Sequence, residues 1–207
     1  MRIERLGEKA VILRDLPCEA YLFASALKRD DIQEAVASYE TVGVYFHEAI
    51  ESLEGLGFES VVIPTSAIGR ELEIPVCYEF GEDLGSAANS LGIKQDHLIG
   101  LHLNGEYRCY AVGFSPGFAY LGYLEDALSL PRLPSPRKRV EQGSVGITGR
   151  QTAVYPAATP GGWNLIGRCP LQLVDVEDGY FPIEAGDRVK FQRIDDVEFG
   201  RLKGERL

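Results

Sequence analysis

The spacing of glycine and proline after Tyr107 constrains the fold of this chain more than any other feature of its sequence. From Tyr107 onward these residues recur every few positions, and the apolar segments between them are short, as in residues 107–114, 171–176 and 189–194. Closely spaced short strands separated by turn residues are typical of all-β barrels and sandwiches. The sequence therefore predicts a β-barrel or β-sandwich for the C-terminal part of the chain.

The sequence before this region mixes helical and strand patterns. Residues 9–14 form a short apolar run bounded by polar residues, which predicts a strand. An apolar stripe over residues 20–27 falls at i, i+3, i+4 and i+7 and predicts an amphipathic helix. Apolar residues alternate at Val42, Val44 and Phe46, which predicts a hairpin within residues 32–46.

A second helical stripe and a further strand complete this N-terminal pattern. Apolar residues at helical spacing over 49–56 predict a helix, and residues 61–64 predict a strand. The resulting order, β-α-β-β-α-β, is that of a ferredoxin-like sandwich. Residues 71–78 predict a strand that carries the chain into the second unit, and helical patterns follow over 83–91 and 95–101.

Length, charge and cysteine content narrow the classes of function. The 207 residues allow one large domain or two small ones. The net charge of −10 argues against a nucleic-acid partner, because nucleic-acid binding usually needs a basic surface. Four cysteines without CxxC spacing predict reduced, buried thiols and no structural zinc. Since no membrane span or signal-peptide core is visible, we expect a cytoplasmic protein that does not contact membranes.

The segment Gly-Phe-Ser-Pro-Gly at residues 113–117 matches the G-x-S-x-G pattern of the hydrolase nucleophile elbow. In that elbow the backbone N–H that follows the serine stabilises an oxyanion, but here the following residue is Pro116, which has no N–H. The segment therefore predicts a tight structural loop that presents Phe118 and Tyr120.

Residues 143–149 are rich in glycine, but their G-x-x-G-x-x-G spacing is neither a dinucleotide fingerprint nor a P-loop. One interpretation is a set of barrel turns that need positive φ angles. The other is a nest of backbone N–H groups that holds an anion. The first is favoured for this segment taken alone.

Two neighbouring histidines, His97 and His102, are candidates for metal or acid–base chemistry. Five positions apart on a helix, they would point about 140° away from each other, which excludes an HExxH-like pair. No other metal cage is visible, so we expect no metal site. His102 precedes the strand that begins at Tyr107, and it is either a partly buried capping residue or a functional group.

Arg132, Arg137, Lys138 and Arg139 form a basic cluster among prolines. On an acidic protein this cluster predicts either a site for carboxylate or phosphate or a solvated loop. Trp163, the only tryptophan, follows two glycines and is either a core anchor or the wall of a pocket.

Residues 102–168 bring these features together in one stretch of sequence. Their combination predicts a concave binding surface, although no Ser-His-Asp set or nucleotide signature is present. The potential donors are Arg137, Arg139, Gln151 and Arg168, and the hydroxyl groups belong to Ser115, Thr152 and Tyr155.

At this point a resemblance to a known family is visible. Three long segments closely resemble the signature blocks of the family of 5-oxoprolinase B subunits, also called KipI-like or allophanate hydrolase subunit 1-like. Looser blocks at residues 7–14 and 71–80 match in the same order, so the resemblance spans most of the chain. Ala119 and Ala153 depart from the family pattern, which commonly has proline and glycine there. The three long segments are GFSPGFAYLG (113–122), PSPRKRVEQGSVGITGRQTAVYP (134–156) and ATPGGWNLIGRCP (158–170).

The resemblance implies an α+β fold in two domains. It implies a ferredoxin-like domain over residues 1–78 and a cyclophilin-like β-barrel domain, of the carboxyltransferase C/D type, over residues 79–207. It also implies that the chain is part of a multi-subunit, ATP-dependent 5-oxoprolinase, an amidohydrolase that opens the cyclic amide of 5-oxo-L-proline to give L-glutamate.

Other components of such an enzyme follow from the same resemblance. One implied partner is the LamB/YcsF-like A subunit of 5-oxoprolinase. The other is a second cyclophilin-like protein, which is the C subunit of 5-oxoprolinase or an allophanate hydrolase subunit 2-like protein. ATP with Mg is expected at the level of the complex and not firmly bound to this chain. Because half of a composite site lacks its complementary groups, we expect the isolated chain to be inactive.

Two alternatives come from other members of the same family. Some members bind and inhibit a sensor histidine kinase, which is a regulatory role without chemistry. Others are named as part of an allophanate hydrolase, which shares the architecture and differs in substrate.

Within the family blocks, residue chemistry suggests specific roles. We expect His102 to act in acid–base chemistry or hydrogen bonding. Arg137, Arg139 and Arg168 are expected to hold carboxylate or phosphate. Gln151, Thr152 and Tyr155 are expected to orient the substrate. The expected pocket-shaping residues are Ser115, Pro116, Gly117, Phe118, Tyr120, Gly161, Gly162 and Trp163.

Overall fold

A computed structural model describes residues 1–64 and 69–207 of the chain. The chain divides into two compact units, Met1–Gly69 and Arg70–Leu207. This division lies ahead of the expected boundary after residue 78, because the strand Glu71–Val76 pairs along its whole length with a strand near the end of the second unit.

The N-terminal unit is an antiparallel sheet with one helix. Its hairpin was predicted correctly: the apolar alternation of β4 buries Val42, Val44 and Phe46, and Phe23 of the helix is also buried. The strands pair in the order β1-β2-β4-β3. Its elements are β1 (Arg2–Arg5), β2 (Ala10–Arg14), α1 (Ala20–Ala26), β3 (Ile32–Ser38) and β4 (Thr41–Phe46).

Two predicted elements of this unit, the helix over 49–56 and the strand over 61–64, are wrong. Residues 49–56 form bends and turns, and only a short 3-10 helix, Phe58–Ser60, follows. Tertiary hydrogen bonds occupy this backbone, since the Ile50 N–H donates to the Glu8 carbonyl at 2.8 Å and Arg29 donates to the Leu56 carbonyl at 2.5 Å. The backbone of the apolar stripe is therefore held by other parts of the unit.

The C-terminal unit contains a seven-stranded sheet, mostly antiparallel, in the order β5-β13-β6-β7-β10-β9-β12. Only β5 and β13 pair in parallel among its described strands. Beyond β5, Cys77 exchanges two backbone hydrogen bonds of 2.9 Å with Arg168 of β12, which closes the sheet on itself. Its seven strands are β5 (Glu71–Val76), β6 (Tyr107–Val112), β7 (Ala119–Gly122), β9 (Ser144–Thr148), β10 (Gln151–Val154), β12 (Asn164–Arg168) and β13 (Arg188–Arg193). Two further strands, β8 (Arg137–Val140) and β11 (Thr159–Gly161), pair with each other as a separate two-stranded sheet.

Three α-helices accompany this sheet, so the chain is a mixed α/β protein with few helices. The helical patterns over 83–91 and 95–101 are confirmed by α2 (Leu84–Leu91) and α3 (Gln95–Asn104), and α4 (Asp196–Leu202) lies near the C-terminus. The strand predicted within residues 171–176 is reduced to isolated bridges. Within the described residues, no helix is both long and apolar enough to cross a membrane.

Two buried clusters fill the C-terminal unit. The larger cluster lies between the sheet and helices α2 and α3, and it includes Tyr78, Leu98, Tyr107 and Phe191. The smaller cluster joins residues of strands β8, β10 and β12 to residues of the segments beside them, and it consists of Phe118, Val140, Ala153, Tyr155, Trp163 and Leu165.

Candidate functional site

A hollow of about 220 Å³ opens above the smaller cluster. Its volume is below the roughly 300 Å³ at which most small-molecule pockets begin, so it suits a ligand of few atoms or one part of a shared site. We call it the aromatic hollow. Its lining residues are Phe114, Phe118, Tyr120, Arg132, Pro136, Tyr155, Pro160, Gly161, Gly162 and Trp163.

Phe118 holds the aromatic rings of the hollow in place. Its side chain is 2% exposed, and its ring meets the rings of Tyr155 and Trp163 edge-on at centroid distances of 5.2 and 5.6 Å. The rings of Tyr120 and Phe114 contact it at 4.9 and 5.4 Å. Edge-to-face aromatic pairs have a preferred geometry, so these walls are preorganised.

The loop over 113–118 explains how Phe118 reaches this position. Phe114 and Gly117 both have positive φ angles, 71° and 70°, and the Phe118 N–H donates to the Ser115 carbonyl at 3.1 Å. A Cβ at Gly117 would lie 2.1 Å from Cγ2 of Val174, so only glycine fits. The predicted tight loop is confirmed, and strand β7 follows it where a nucleophile elbow would require a helix.

In another part of the hollow, the backbone of Gly161 packs closely against the side chain of Tyr155. A Cβ on Gly161 would lie 2.3 Å from the Tyr155 hydroxyl oxygen, and the next residue, Gly162, packs against Pro136. Burial raises the pKa of Tyr155, so its hydroxyl stays protonated at neutral pH. Glycine at position 161 therefore allows the backbone to pack directly against this phenol, which is 1% exposed.

Arg137 does not line the hollow, but it forms an ion pair that supports it. Its guanidinium lies 2.5 Å from one carboxylate oxygen of Asp83, and the other oxygen accepts the Leu165 N–H at 2.7 Å. Arg137 also donates to the Trp163 carbonyl at 3.5 Å. This ion pair ties the Trp163 segment to the start of α2. A contact between Arg137 and a ligand stays a prediction.

Arg132 is the one lining residue that carries a charge. Among the residues described by the structure, no carboxylate lies within ion-pair distance of it and no hydrogen bond engages its guanidinium. Its positive charge lowers the pKa of Tyr120 and Tyr155 against the larger, opposite effect of their burial. The hollow thus has a free cation beside two phenols.

His102 lies in the core of the unit and is 0% exposed. Its Nδ1 is 2.7 Å from the Tyr78 hydroxyl, its Nε2 is 2.9 Å from the Thr152 hydroxyl, and its ring stacks on Phe191. The Thr152 hydroxyl donates to the Gly146 carbonyl at 3.2 Å, so its oxygen accepts a hydrogen bond from the Nε2–H of His102. His102 is therefore the neutral Nε2–H tautomer, and Tyr78 donates to Nδ1.

Burial lowers the pKa of His102 to about 3. Both ring nitrogens are occupied, and His102 is absent from the lining of the aromatic hollow. Its connection to the hollow runs through Thr152 and strand β9, where Gly146 packs under Trp163. The structure therefore favours hydrogen bonding over proton transfer to a ligand for His102.

The three glycines within residues 143–149 are needed for different structural reasons. Gly143 and Gly149 have φ angles of 82° and 52°, which agrees with the predicted barrel turns. Gly146 lies within β9, where an added Cβ would be 3.1 Å from Cβ of Trp163. The anion nest is not needed to explain any of the three.

Several predicted site residues lie away from the aromatic hollow. Arg139 is exposed and bonds Glu141 at 2.7 Å. Arg168 lines a separate hollow of about 200 Å³ and donates to the Gln142 carbonyl. Gln151 lies in β10 and pairs with Gly122 of β7. The predicted roles of Arg139, Arg168 and Gln151 stay predictions.

Most of the predicted pocket-shaping residues do come together. Phe118, Tyr120, Gly161, Gly162 and Trp163 line the aromatic hollow, while Ser115, Pro116 and Gly117 form the loop at its rim. Sequence reasoning missed Phe114, Pro136, Pro160 and Arg132 as lining residues. The basic cluster included Arg132, but the sequence pattern did not show that Arg137 and Arg139 form ion pairs with Asp83 and Glu141.

Two buried hydroxyl oxygens, Ser115 Oγ and Thr159 Oγ1, have no hydrogen-bond partner among the described residues. Ser115 lies in the loop between Phe114 and Phe118, and Thr159 directly precedes the lining residue Pro160. An unsatisfied buried polar group costs about 1–3 kcal/mol.

No metal or thiol chemistry is evident at the hollow. In the described ranges, 1–64 and 69–207, no group of three or more His, Cys, Asp or Glu residues could hold a metal ion. All four cysteines are free thiols, and burial raises the pKa of Cys77 to about 11 and that of Cys109 and Cys169 to about 12. These three thiols are protonated at neutral pH.

Known proteins resemble this chain at the level of both sequence and structure. A protein family described as "Carboxyltransferase domain, subdomain C and D" matches residues 1–180. The B subunit of 5-oxoprolinase from Bacillus subtilis is 47% identical over 139 residues, which cover 66% of this chain and 58% of the relative. The B subunit of 5-oxoprolinase from Haemophilus influenzae is 37% identical over 209 residues, covering 92% of this chain and 97% of the relative.

Solved structures agree with these sequence relationships. The crystal structure of TTHA0988 superposes with a TM-score of 0.81 at 34% identity, covering 90% of this chain and 40% of that one. The urea amidolyase of K. lactis, at 15% identity and a TM-score of 0.69, shares the fold, and the match covers 96% of this chain and 15% of that one.

The matched regions do not always cover the whole relative. The chain spans 58% of the B. subtilis relative and 66% of a similar one from Escherichia coli. The family match covers residues 1–180, and the H. influenzae relative is matched over 97% of its length. These two matches show the family of this chain. The chain belongs to the family of 5-oxoprolinase B subunits.

Proposed function

We propose that this chain is one subunit of an ATP-dependent 5-oxoprolinase, which hydrolyses 5-oxo-L-proline to L-glutamate. In this reaction the lactam C–N bond breaks, and water supplies OH to the carbonyl carbon and a proton to the nitrogen. Because the lactam is a stable amide, ATP hydrolysis drives the opening. The names of three relatives, each called the B subunit of 5-oxoprolinase, support the proposal.

The aromatic hollow is the observation that carries this proposal. Flat rings and one unpaired cation suit a small ring that bears a carboxylate. None of the lining residues is a histidine, cysteine, serine or carboxylate, and burial raises the pKa of the two lining tyrosines, so neither is a ready base for water at neutral pH. A binding surface without catalytic groups is what one member of a composite site would contribute.

The rest of the active site would then come from other polypeptides. We propose as these partners the LamB/YcsF-like A subunit of 5-oxoprolinase and a second cyclophilin-like protein, with ATP and Mg bound in the assembled complex and the isolated chain inactive. The buried hydroxyls of Ser115 and Thr159 support a partner or ligand at the rim. We also propose that the protein is cytoplasmic and that it consists of a ferredoxin-like N-terminal domain and a cyclophilin-like barrel.

Reconstitution tests this function. We expect the chain mixed with both partner proteins to consume 5-oxo-L-proline and release equimolar L-glutamate only when ATP and Mg are present. Omitting each protein in turn should abolish the reaction. Turnover by the chain alone would contradict the composite site, and tight binding to a sensor histidine kinase without any glutamate release would contradict the enzyme.

A further inference from the structure

We infer that Arg132 binds the carboxylate of the substrate in the aromatic hollow and is therefore a specificity-determining residue for small cyclic carboxylates. This inference rests on the proposed function and deepens it, since it assigns one end of the substrate to this chain. In the sequence, Arg132 belongs to the basic cluster that predicts either a site for carboxylate or phosphate or a solvated loop, and no individual role was expected of it.

The charges around the hollow select Arg132 over its neighbours. Arg137 bonds Asp83 at 2.5 Å, and Arg139 bonds Glu141 at 2.7 Å, so both guanidinium groups already have carboxylate partners. Within the described part of the chain, Arg132 has none. A guanidinium binds a carboxylate through two parallel hydrogen bonds, which is the strongest pairing open to it here.

The position of Arg132 relative to the tyrosines supports the same assignment. Arg132, Tyr120 and Tyr155 all line the aromatic hollow, and the positive charge of Arg132 lowers the pKa of both phenols. Both phenols are protonated at neutral pH because burial raises their pKa. An anion beside Arg132 would therefore meet hydrogen-bond donors and no competing negative charge.

The walls of the hollow suit the remainder of such a ligand. Trp163 and Tyr120 lie 6.0 Å apart between ring centroids, and Gly161 and Gly162 keep the floor free of side chains. These aromatic side chains suit the apolar part of a ligand, and the volume of about 220 Å³ favours a compact ring over an extended chain. A five-membered lactam with one carboxylate has this combination of features.

Binding to the isolated chain, followed by Trp163 fluorescence or by NMR, tests the inference. We expect Arg132→Gln to weaken binding of 5-oxo-L-proline at least tenfold, the loss typical of a charged hydrogen-bond pair. Binding of 2-pyrrolidinone, the same lactam without a carboxylate, should not change. Arg132→Lys should lose less, because it keeps the charge without the bidentate geometry. The matched control is Arg201→Gln, which removes an exposed arginine that pairs with Glu198 of the same helix and does not line the hollow.

The reconstituted complex supplies a second measurement. Arg132→Gln should raise KM for 5-oxo-L-proline at least tenfold, and Arg201→Gln should leave it unchanged. Unchanged binding and unchanged KM in Arg132→Gln would overturn the inference even if the complex is an active 5-oxoprolinase. Conversely, Arg132-dependent binding of 5-oxo-L-proline to the chain, with no glutamate released by the complex, would refute the function and leave the carboxylate site standing.

Discussion

Replacing Gly143 by alanine is expected to lower the free energy of unfolding of the C-terminal unit by about 3 kcal/mol. Two independent effects add at this position. The φ angle of 82° is unfavourable for any residue with a Cβ, and that Cβ would lie 2.2 Å from the Cys169 carbonyl oxygen. Gly143 cannot move away easily, because it bonds the Tyr155 carbonyl at 2.8 Å and the Cys169 N–H at 2.7 Å.

Gly92→Ala is the matched control for this prediction. Gly92 also has a positive φ, 68°, but nothing lies within 4 Å of its added Cβ, so only the backbone penalty of about 1 kcal/mol applies. Urea unfolding followed by Trp163 fluorescence measures both variants, since this single tryptophan lies in the C-terminal unit. If Gly143→Ala and Gly92→Ala lowered the free energy of unfolding equally, the overlap with the Cys169 carbonyl would add no cost, and the prediction would be wrong.

His102→Gln is expected to remove a large part of the pH dependence of stability. The pKa of His102 is about 3 in the folded chain and about 6.5 when unfolded, so below pH 6.5 the unfolded chain binds one more proton. The wild-type protein should therefore lose about 2 kcal/mol of stability through this group between pH 7 and pH 5. Above pH 7 the histidine is neutral in both states and contributes no pH dependence.

The measurement is urea unfolding at pH 7 and pH 5 for the wild-type protein, His102→Gln and His97→Gln. Glutamine can still accept from Tyr78 and donate to Thr152, so the variant retains hydrogen-bonding groups at the site. His97 is exposed on the same helix, and its replacement should leave the wild-type slope unchanged. If His102→Gln loses as much stability as the wild-type protein over this range, His102 is protonated inside the fold.

Local patterns in the sequence were sufficient for several elements. The alternation of Val42, Val44 and Phe46 predicted a strand that the structure contains, and the stripe over 20–27 predicted α1. Pro116 excluded a nucleophile elbow on backbone chemistry alone, and strand β7 does follow that loop. Each of these predictions depends on groups within a few residues of one another.

The same kind of pattern failed where distant groups compete for the backbone. Residues 49–56 have a helical stripe, but the Ile50 N–H is taken by Glu8 and the Leu56 carbonyl by Arg29. A periodicity measures which side chains can be buried together, and it contains no information about hydrogen bonds from other segments.

The sequence by itself determined the family, the short-strand character of the C-terminal unit and the loop that presents Phe118. Only the tertiary structure decided which arginine is free, because Asp83, 54 residues away in the chain, pairs with Arg137, while no carboxylate of the described residues pairs with Arg132. It also decided the state of His102, whose partner Thr152 is 50 residues away. Charge pairing and burial depend on distances in space, and the closure of the sheet sets those distances.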